Sequence, residues 1–290
     1  QELRPRQWTK NLLVFVGVLF SQHLNDPALL LRAAIGFLAF SLLAGCVYML
    51  NDLKDLEHDR RHPKKSKRPL ASGRITPAAV WTAVIPLLAV VAALSWWLGP
   101  PFMAIAGLYV AFNLSYTFWL KQVVLVDVFL IAIGFVLRAI AGVQLLRPVS
   151  PDTVLSPWLL VCTFFGALFL ALAKRRREIA NAGEGAARQR AVLEHYSPEL
   201  LDGLLLVSAA ASLMGYALYT IWPATVAKFQ TEALLYTVPF VAYGIFRYLY
   251  LVRATEATED PSQVLLTDRP LQWCLGLYLA SVLVILYLPM

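Results

Sequence analysis

Charged residues are scarce in this chain. Only 15% of its 290 residues are Asp, Glu, Lys or Arg, whereas soluble domains carry about 25%. Hydrophobic residues make up 59% of the chain, and apolar runs recur along its whole length. This pattern excludes an ordinary soluble protein, and it also excludes a soluble domain with a single membrane anchor. The sequence predicts an all-α integral membrane protein with one domain over residues 1–290.

Cysteine is also rare, with 3 residues in the whole chain. Cys46, Cys162 and Cys274 all lie inside apolar runs, and neither CxxC nor Cys/His ligand spacing occurs. A thiolate metal site is therefore not indicated, and we expect three small, buried hydrophobic side chains.

The apolar runs define the predicted membrane spans. At about 20 residues per crossing, polar residues, proline and glycine separate nine of them. These runs cover residues 11–22, 28–50, 77–97, 101–119, 123–146, 156–173, 202–221, 234–252 and 270–288. The first is short and contains Gln22, so a full crossing and an interfacial position both stay open, and the count is eight or nine.

Basic residues are distributed very unevenly among the loops of the nine-span topology. One side receives nearly all of them: Arg4, Arg6, Lys10, those between residues 54 and 74, Lys121, those between 174 and 190, Arg253 and Arg269. The other side has Arg32, Arg147 and Lys228. By the positive-inside rule the first side is cytoplasmic. The formal charge of +7 therefore reflects topology to a large extent and indicates no nucleic-acid partner.

The second span runs into the acidic stretch "NDLKDLEHD", residues 51–59. On a continuous helix Asp52, Asp55 and Asp59 fall within an arc of about 60°, and Glu57 lies on the opposite side. Magnesium binds oxygen ligands and usually combines one or two carboxylates with substrate phosphates. The stretch therefore fits a magnesium-diphosphate site, although a solvated helix end whose acids balance nearby bases is the alternative. Lys67 and Arg68 follow, either as phosphate ligands or as topology signals.

These motifs resemble those of the UbiA-type intramembrane prenyltransferase superfamily. "NDLKDLEHD", which begins with Asn51, and the following "KRPLASG" are similar to the superfamily's first aspartate-rich motif. "YTFWLKQVVLVD" is similar to its second motif and contains Tyr116, Lys121 and Asp127, but Ile131 replaces a further aspartate. The resemblance implies a nine-transmembrane-helix UbiA-type bundle with a cytoplasmic active-site cavity. The Ile131 departure argues against a symmetric two-cluster metal site and against standard prenyl transfer.

The resemblance is closer to the bacterial decaprenyl-phosphate phosphoribosyltransferases within this superfamily. It includes "RPRQWTKN", "FVLRAIAG" at 135–142, "KRRRE" at 174–178 and "LLTDRPLQ" at 265–272. It implies a bacterial inner-membrane enzyme that transfers 5-phosphoribosyl from phosphoribosyl pyrophosphate (PRPP) to a polyprenyl phosphate and releases diphosphate. Mg²⁺, or Mn²⁺ in its place, is the implied cofactor, and membrane lipids and a homo-oligomer are compatible partners.

Transfer of phosphoribosyl to a lipid phosphate requires more cations than prenyl transfer. Besides the diphosphate, the enzyme has to bind the 5-phosphate of the donor and the phosphate of the acceptor. The predicted catalytic residues are Asp52, Asp55, Asp59 and Asp127, the first three as metal ligands. The predicted substrate-binding residues are Lys10, Asn51, Lys67, Arg68, Tyr116, Lys121, Arg138, Lys174 and Arg175. Arg138 is included because arginine inside a span is costly and usually functional or paired.

Glu178 is placed to orient Lys174 and Arg175, whereas Arg176 and Arg177 are expected only to contact lipid. Two other functions stay open. A UbiA-type prenyltransferase with an aromatic or lipid acceptor would need fewer cations. A transporter of anionic solutes would be expected to show paired broken spans in two related halves, and no such repeat is evident.

Overall fold

The computed structural model describes residues 3–21, 24–61, 65–148, 156–182, 191–254, 264–265 and 267–287. Within these residues the chain is helical and contains no strand. The α-helices are α1 (Val16–Leu19), α2 (Pro27–Lys54), α3 (Leu56–Arg61), α4 (Pro77–Leu98), α5 (Pro100–Phe118), α6 (Val126–Gln144), α7 (Pro157–Ala182), α8 (Pro198–Ile221), α9 (Pro223–Phe229), α10 (Val238–Ala254) and α11 (Arg269–Tyr287). Short 3₁₀ helices cover Pro5–Phe15, Lys65–Lys67, Leu120–Gln122, Ala191–His195 and Ala233–Thr237.

Eight helices in the described part of the chain are long and apolar enough to cross a membrane. They coincide with the second to ninth predicted spans, which confirms the all-α membrane fold. Large apolar side chains such as Ile85, Val207 and Leu206 are more than half exposed, as expected for surfaces that face lipid. The first predicted span is not among the eight.

The N-terminal segment, residues 3–19, has a different conformation. Residues Pro5–Phe15 form a 3₁₀ helix and Val16–Leu19 one α-helical turn. A 3₁₀ helix rises about 2.0 Å per residue and an α-helix 1.5 Å, so the two together extend roughly 28 Å, close to the thickness of a bilayer core. Whether this segment is the ninth crossing stays a prediction.

The chain divides into two compact units. The first comprises residues 1–130 and 137–153, and the second residues 131–136 and 154–290. The prediction of a single domain is not tested by this division. In the first unit α2 packs against the N-terminal segment, α4 and α5. Phe40 of α2 makes edge-to-face contacts with Phe102 and Tyr109 of α5, with ring centroids 5.6 and 5.4 Å apart.

Helix α2 begins at a cap that its sequence provides and ends at the acidic stretch. Asp26 accepts a hydrogen bond from the Ala28 N–H at 2.8 Å, and Pro27 occupies the first helical position. The helix ends at Lys54, and Asp55 leaves the helical conformation with φ −95° and ψ 9° before α3 restarts. The continuous helix assumed for the acidic stretch is therefore interrupted at Asp55.

In the second unit α7 packs along α8, and α10 packs against α11. Tyr216 of α8 and Thr237 form a buried hydroxyl–hydroxyl hydrogen bond of 2.6 Å, which satisfies two polar groups inside the unit. The three cysteines are free thiols. Cys46 and Cys274 are buried as predicted, and Cys162 is partly buried, with its thiol donating to the Leu159 carbonyl at 3.3 Å.

Candidate active site

Two carboxylates of the acidic stretch converge on one guanidinium. Asp52 and Asp59 expose only 3% and 2% of their surface. Arg68 Nη1 lies 2.9 Å from Asp52 Oδ1 and 2.5 Å from Asp59 Oδ2. Since a buried carboxylate requires a counter-charge and hydrogen-bond donors, Arg68 provides both to two of them. The structure thus brings predicted metal ligands and a predicted phosphate ligand together.

Asp55 is held separately, in a more open position. Its side chain is 26% exposed, and its Oδ1 lies 2.5 Å from Lys121 Nζ. Asn51 donates from its side-chain amide to Asp55 Oδ2 at 3.2 Å. Lys121 comes from the second predicted motif, in the turn that follows α5. The two motifs are therefore in direct contact, 66 residues apart in sequence.

The remaining predicted residues of the second motif have different positions. Tyr116 lies partly buried in the last turn of α5. Asp127 lies in the first turn of α6 and is completely buried. The turn before it contains Leu125 at φ 65°, a conformation that is rare for a residue other than glycine, at the start of α6.

Arg4 is a site residue that the sequence analysis did not select. Its guanidinium pairs with Asp52 Oδ2 and lies 5.0 Å from the centroid of the Tyr48 ring. Each oxygen of Asp52 therefore has its own arginine. Lys10, which was selected instead, donates to Gln7 Oε1 at 3.3 Å. Both cations are in "RPRQWTKN", and only the fold shows that Arg4 reaches Asp52.

Arg138 lies inside a buried polar network of the first unit. It is 4% exposed, donates from Nε to Asn11 Oδ1 at 2.6 Å and from Nη2 to the Tyr109 hydroxyl at 2.8 Å. The Asn11 amide in turn donates to Ser41 Oγ of α2 at 3.0 Å. This network connects α6, the N-terminal segment, α2 and α5. Arg138 is thus paired inside the protein with Asn11 and Tyr109, and its predicted substrate contact stays a prediction.

The basic run after the span of α7 belongs to the second unit. Arg175 is 1% exposed and forms an ion pair with Glu178. The role of Glu178 in orienting Arg175 stays a prediction. Lys174 is partly buried. Substrate binding by Lys174 and Arg175 stays a prediction.

The expectation that Arg176 and Arg177 contact only lipid is wrong. Arg176 Nε lies 3.1 Å from Asp202 Oδ1 of α8. Arg177 is 5% exposed and donates to the Leu251 carbonyl near the end of α10. Both guanidiniums connect helices within the second unit. Arg176 does so through an ion pair, and Arg177 binds a carbonyl in the last turn of α10, where the backbone has no helical partner.

The donor set of the aspartate cluster suits a hard divalent cation. Among the described residues, no three His, Cys, Asp or Glu side chains are already arranged around one metal-binding point. However, oxygens of Asp52 and Asp59 both face Arg68 Nη1, so a positive charge already lies between two carboxylates. Carboxylate and amide oxygens are the ligands that Mg²⁺ prefers.

The fold and this cluster define a polytopic helical membrane protein with an acidic site surrounded by cations. The profile of the UbiA prenyltransferase family matches residues 11–268. The chain therefore belongs to the UbiA prenyltransferase family and is a transferase.

Two curated relatives are similar over most of their length. The decaprenyl-phosphate phosphoribosyltransferase of Mycolicibacterium smegmatis is 34% identical, with 93% of this chain and 86% of the relative covered. The protein of the same name from Corynebacterium glutamicum is also 34% identical, with 93% and 81% covered. A UbiA homolog from Archaeoglobus fulgidus, solved bound to GPP and Mg²⁺, superposes with a TM-score of 0.72 at 19% identity and covers 98% of this chain and 97% of its own, which supports the fold.

Proposed function

We propose that this protein transfers the 5-phosphoribosyl group of PRPP to a polyprenyl phosphate of the decaprenyl type and releases diphosphate. The observation that carries the proposal is the contact of both sequence motifs in one cluster, where Arg68 and Lys121 lie against the three aspartates. The similarity to two curated phosphoribosyltransferases supports the choice of donor and acceptor.

Asp52, Asp55 and Asp59 are the residues proposed to hold the metal. When bound, Mg²⁺ supplies positive charge to the departing diphosphate, which lowers the free energy of its separation from the ribosyl carbon. Mn²⁺ is the expected substitute. The Archaeoglobus homolog binds Mg²⁺ together with a diphosphate ester, which is consistent with this donor set.

The chain's own cations complete the site. In the proposed reaction the bond between the ribosyl C1 and the diphosphate oxygen breaks, and an oxygen of the acceptor phosphate forms the new bond to C1. Arg68 and Lys121 are proposed to bind phosphate oxygens, since charge-assisted hydrogen bonds to phosphate are among the strongest in proteins. Asp127 remains a predicted catalytic residue. Lys10, Lys67, Tyr116, Lys174 and Arg175 remain predicted substrate ligands.

We place the protein in a bacterial inner membrane with the aspartate cluster facing the cytoplasm. The strong bias of Lys and Arg toward the loops on that side supports this orientation. PRPP is water-soluble and would reach the site from the cytoplasm, whereas a polyprenyl phosphate would approach through the bilayer.

The direct test is an assay of the purified protein with Mg²⁺, PRPP labelled in its ribose and polyprenyl phosphate. Label should move into the organic phase, and omission of the divalent cation should abolish the transfer. Label that stays in the aqueous phase under all conditions would refute the proposal.

Prenyl transfer to an aromatic or lipid acceptor is the second candidate, because the Archaeoglobus homolog has been solved with GPP and with DMAPP. The two functions differ in donor preference. In a competition experiment PRPP should bind more tightly than geranyl diphosphate, since three aspartates, two arginines and a lysine form a highly polar cluster. The reverse order would favour prenyl transfer.

A further inference from the structure

The contact between Arg4 and Asp52 is not explained by the proposed metal site. Asp52 is one of the proposed metal ligands, yet Arg4 and Arg68 each pair with one of its oxygens. A divalent cation that binds Asp52 has to share the carboxylate with two guanidiniums or displace at least one of them, because like charges at contact distance repel strongly inside a protein.

The backbone around Arg4 is held in place by local hydrogen bonds. Arg4 has φ 47° and ψ 61°, the left-handed conformation, which costs free energy for a residue with a side chain. The carbonyl of Leu3 accepts from the Trp8 indole N–H at 3.1 Å, and the carbonyl of Arg4 accepts from the Gln7 N–H at 2.8 Å. An unfavourable backbone conformation persists where its surroundings fix it, and these two bonds fix the turn that directs Arg4 toward α2.

The rest of the N-terminal segment is anchored independently of Arg4. Asn11 is bound by Arg138 and donates to Ser41. A Cβ on Gly17 would lie 2.6 Å from the Gly142 carbonyl oxygen, so the segment touches α6 backbone to backbone. The Arg4 side chain can therefore exchange partners while the segment stays in place.

The formal charges of the cluster indicate where the Arg4 side chain would move when a metal ion binds. Asp52, Asp55 and Asp59 are matched by Arg4, Arg68 and Lys121, so these six side chains have no net formal charge. A divalent cation changes the sum to +2, and PRPP, with its diphosphate and 5-phosphate, then brings negative charge that needs cations of the chain. A guanidinium released from a carboxylate has the planar fork that also fits a phosphate. The Arg4 side chain is 22% exposed, so it has access to solvent and substrate.

We propose that Arg4 is the resident counter-ion of Asp52, that the incoming divalent cation displaces it, and that the displaced guanidinium binds a phosphate group of the substrate. This inference rests on the proposed function for the identity of the substrate. Arg4 would thus weaken the binding of the metal alone and strengthen the binding of the donor that follows.

The test measures the two affinities separately in the purified full chain. Mn²⁺ binding without substrate is followed by electron paramagnetic resonance, and PRPP binding at saturating Mg²⁺ by calorimetry. In Arg4→Gln the affinity for Mn²⁺ should rise about tenfold, and the affinity for PRPP should fall about tenfold or more, the scale of one charge-assisted contact. Arg60→Gln is the matched control, because Arg60 pairs with the exposed Glu57, and both affinities should stay at the wild-type value.

Two results would overturn the proposal: both affinities within about threefold of wild type in a folded Arg4→Gln protein, or a weaker affinity for Mn²⁺. If Arg4→Gln does not fold, Arg4→Lys replaces it. A lysine keeps the charge but lacks the two-donor fork, so the affinity for PRPP should fall by more than about threefold, and a PRPP affinity within threefold of wild type overturns the proposal.

The outcomes also separate this inference from the proposed function. Mn²⁺ binding does not depend on which substrate the enzyme uses, so a wild-type protein that transfers no label from PRPP still tests the displacement of Arg4. Conversely, an active wild type with an unchanged Arg4→Gln variant refutes only the role of Arg4.

Discussion

At the residue scale, the three aspartates differ in how far they are buried. Asp52 and Asp59 are almost completely buried and share Arg68, so replacing either one breaks an ion pair on a buried carboxylate and is expected to lower stability as well as activity. Asp55 is more exposed and pairs with Lys121, which is 19% exposed. Asp55 is therefore the position at which loss of activity is most clearly separated from loss of stability.

We predict that Asp55→Asn lowers turnover at least about 100-fold, the scale of removing one preorganised electrostatic contact, with little change in the melting temperature. Glu57→Gln is the control, since Glu57 is 73% exposed and pairs only with the surface residue Arg60 among the described ion pairs. The measurement is label transfer from PRPP, together with thermal unfolding in detergent. Near-normal turnover of Asp55→Asn would remove Asp55 from the site.

For Arg68, a role as a topology signal and a role as a phosphate ligand predict different effects of a substitution on PRPP binding. If Arg68 binds phosphate and supports Asp52 and Asp59, Arg68→Gln should weaken PRPP binding by about tenfold or more while membrane insertion stays normal. Arg74→Gln removes the same charge from the same loop. Arg74 is exposed and donates to the Ser72 hydroxyl at 3.2 Å and the Lys67 carbonyl at 3.0 Å. Equal PRPP affinities in the two variants would leave Arg68 as a topology signal.

At the scale of elements, the N-terminal segment depends on glycine for its contact with α6. A Cβ on Gly142 would collide with the carbonyl group of Val14, and backbone atoms cannot move away as the end of a side chain can. We predict that Gly142→Ala destabilises the protein by about 1–3 kcal/mol, as expected for overpacking, and lowers its melting temperature.

Gly107→Ala in α5 is the matched control for this prediction. A Cβ at Gly107 meets nothing within 4 Å, so alanine should be neutral or stabilising there through its higher helix propensity. If Gly142→Ala and Gly107→Ala unfold at the same temperature, the contact between the segment and α6 is not as close as the structure shows.

The start of α11 is held by an acid whose charge depends on pH. Asp268 accepts two hydrogen bonds from Arg247, at 2.8 and 3.2 Å, and one from the Leu271 N–H at 2.9 Å. The bonds from Arg247 lower the pKa of the Asp268 carboxyl. A carboxyl whose pKa is lower in the folded than in the unfolded state stabilises the fold above the unfolded-state pKa, and this contribution is lost as the pH falls through the folded-state value.

We therefore predict that wild type unfolds at a higher temperature than Asp268→Asn at neutral pH, and that the difference shrinks as the pH is lowered toward about 3. Arg247→Gln removes the main cause of the lowered pKa and should likewise unfold at a lower temperature than wild type at neutral pH. Melting curves over this pH range test the prediction, and a difference that does not change with pH would contradict it.

At the scale of the whole molecule, the distribution of Lys and Arg predicts the orientation in the membrane. In a variant with Cys46, Cys162 and Cys274 replaced by alanine, a cysteine at Ser72 should react with a membrane-impermeant maleimide only after the cells are permeabilised. A cysteine at Glu232, in the weakly charged loop before α10, should react in intact cells. Both positions are exposed, so access from one side of the membrane decides the result. The reverse pattern would invert the proposed orientation.

Local properties of the sequence determined the helices and the motifs. Hydropathy over about 20 residues located the eight long spans, since a helix that crosses lipid must be apolar over that length. The caps and breaks at Asp26, Pro27 and Gly99 lie where residue type alone predicts them. The sequence also identified the acidic stretch with Asp52, Asp55 and Asp59, although the helix that it assumed there is interrupted at Asp55.

Only the tertiary structure decided which partners these residues have. Arg4 meets Asp52 across 48 residues, and Arg138 meets Asn11 across 127, distances over which helical periodicity contains no information. The same is true of Lys121 and Asp55. The 3₁₀ helix Pro5–Phe15 packs against α2, whereas hydropathy predicted only a short apolar run for this segment. Burial and pairing depend on which helices pack together, and that is settled by the whole set of side chains at each interface.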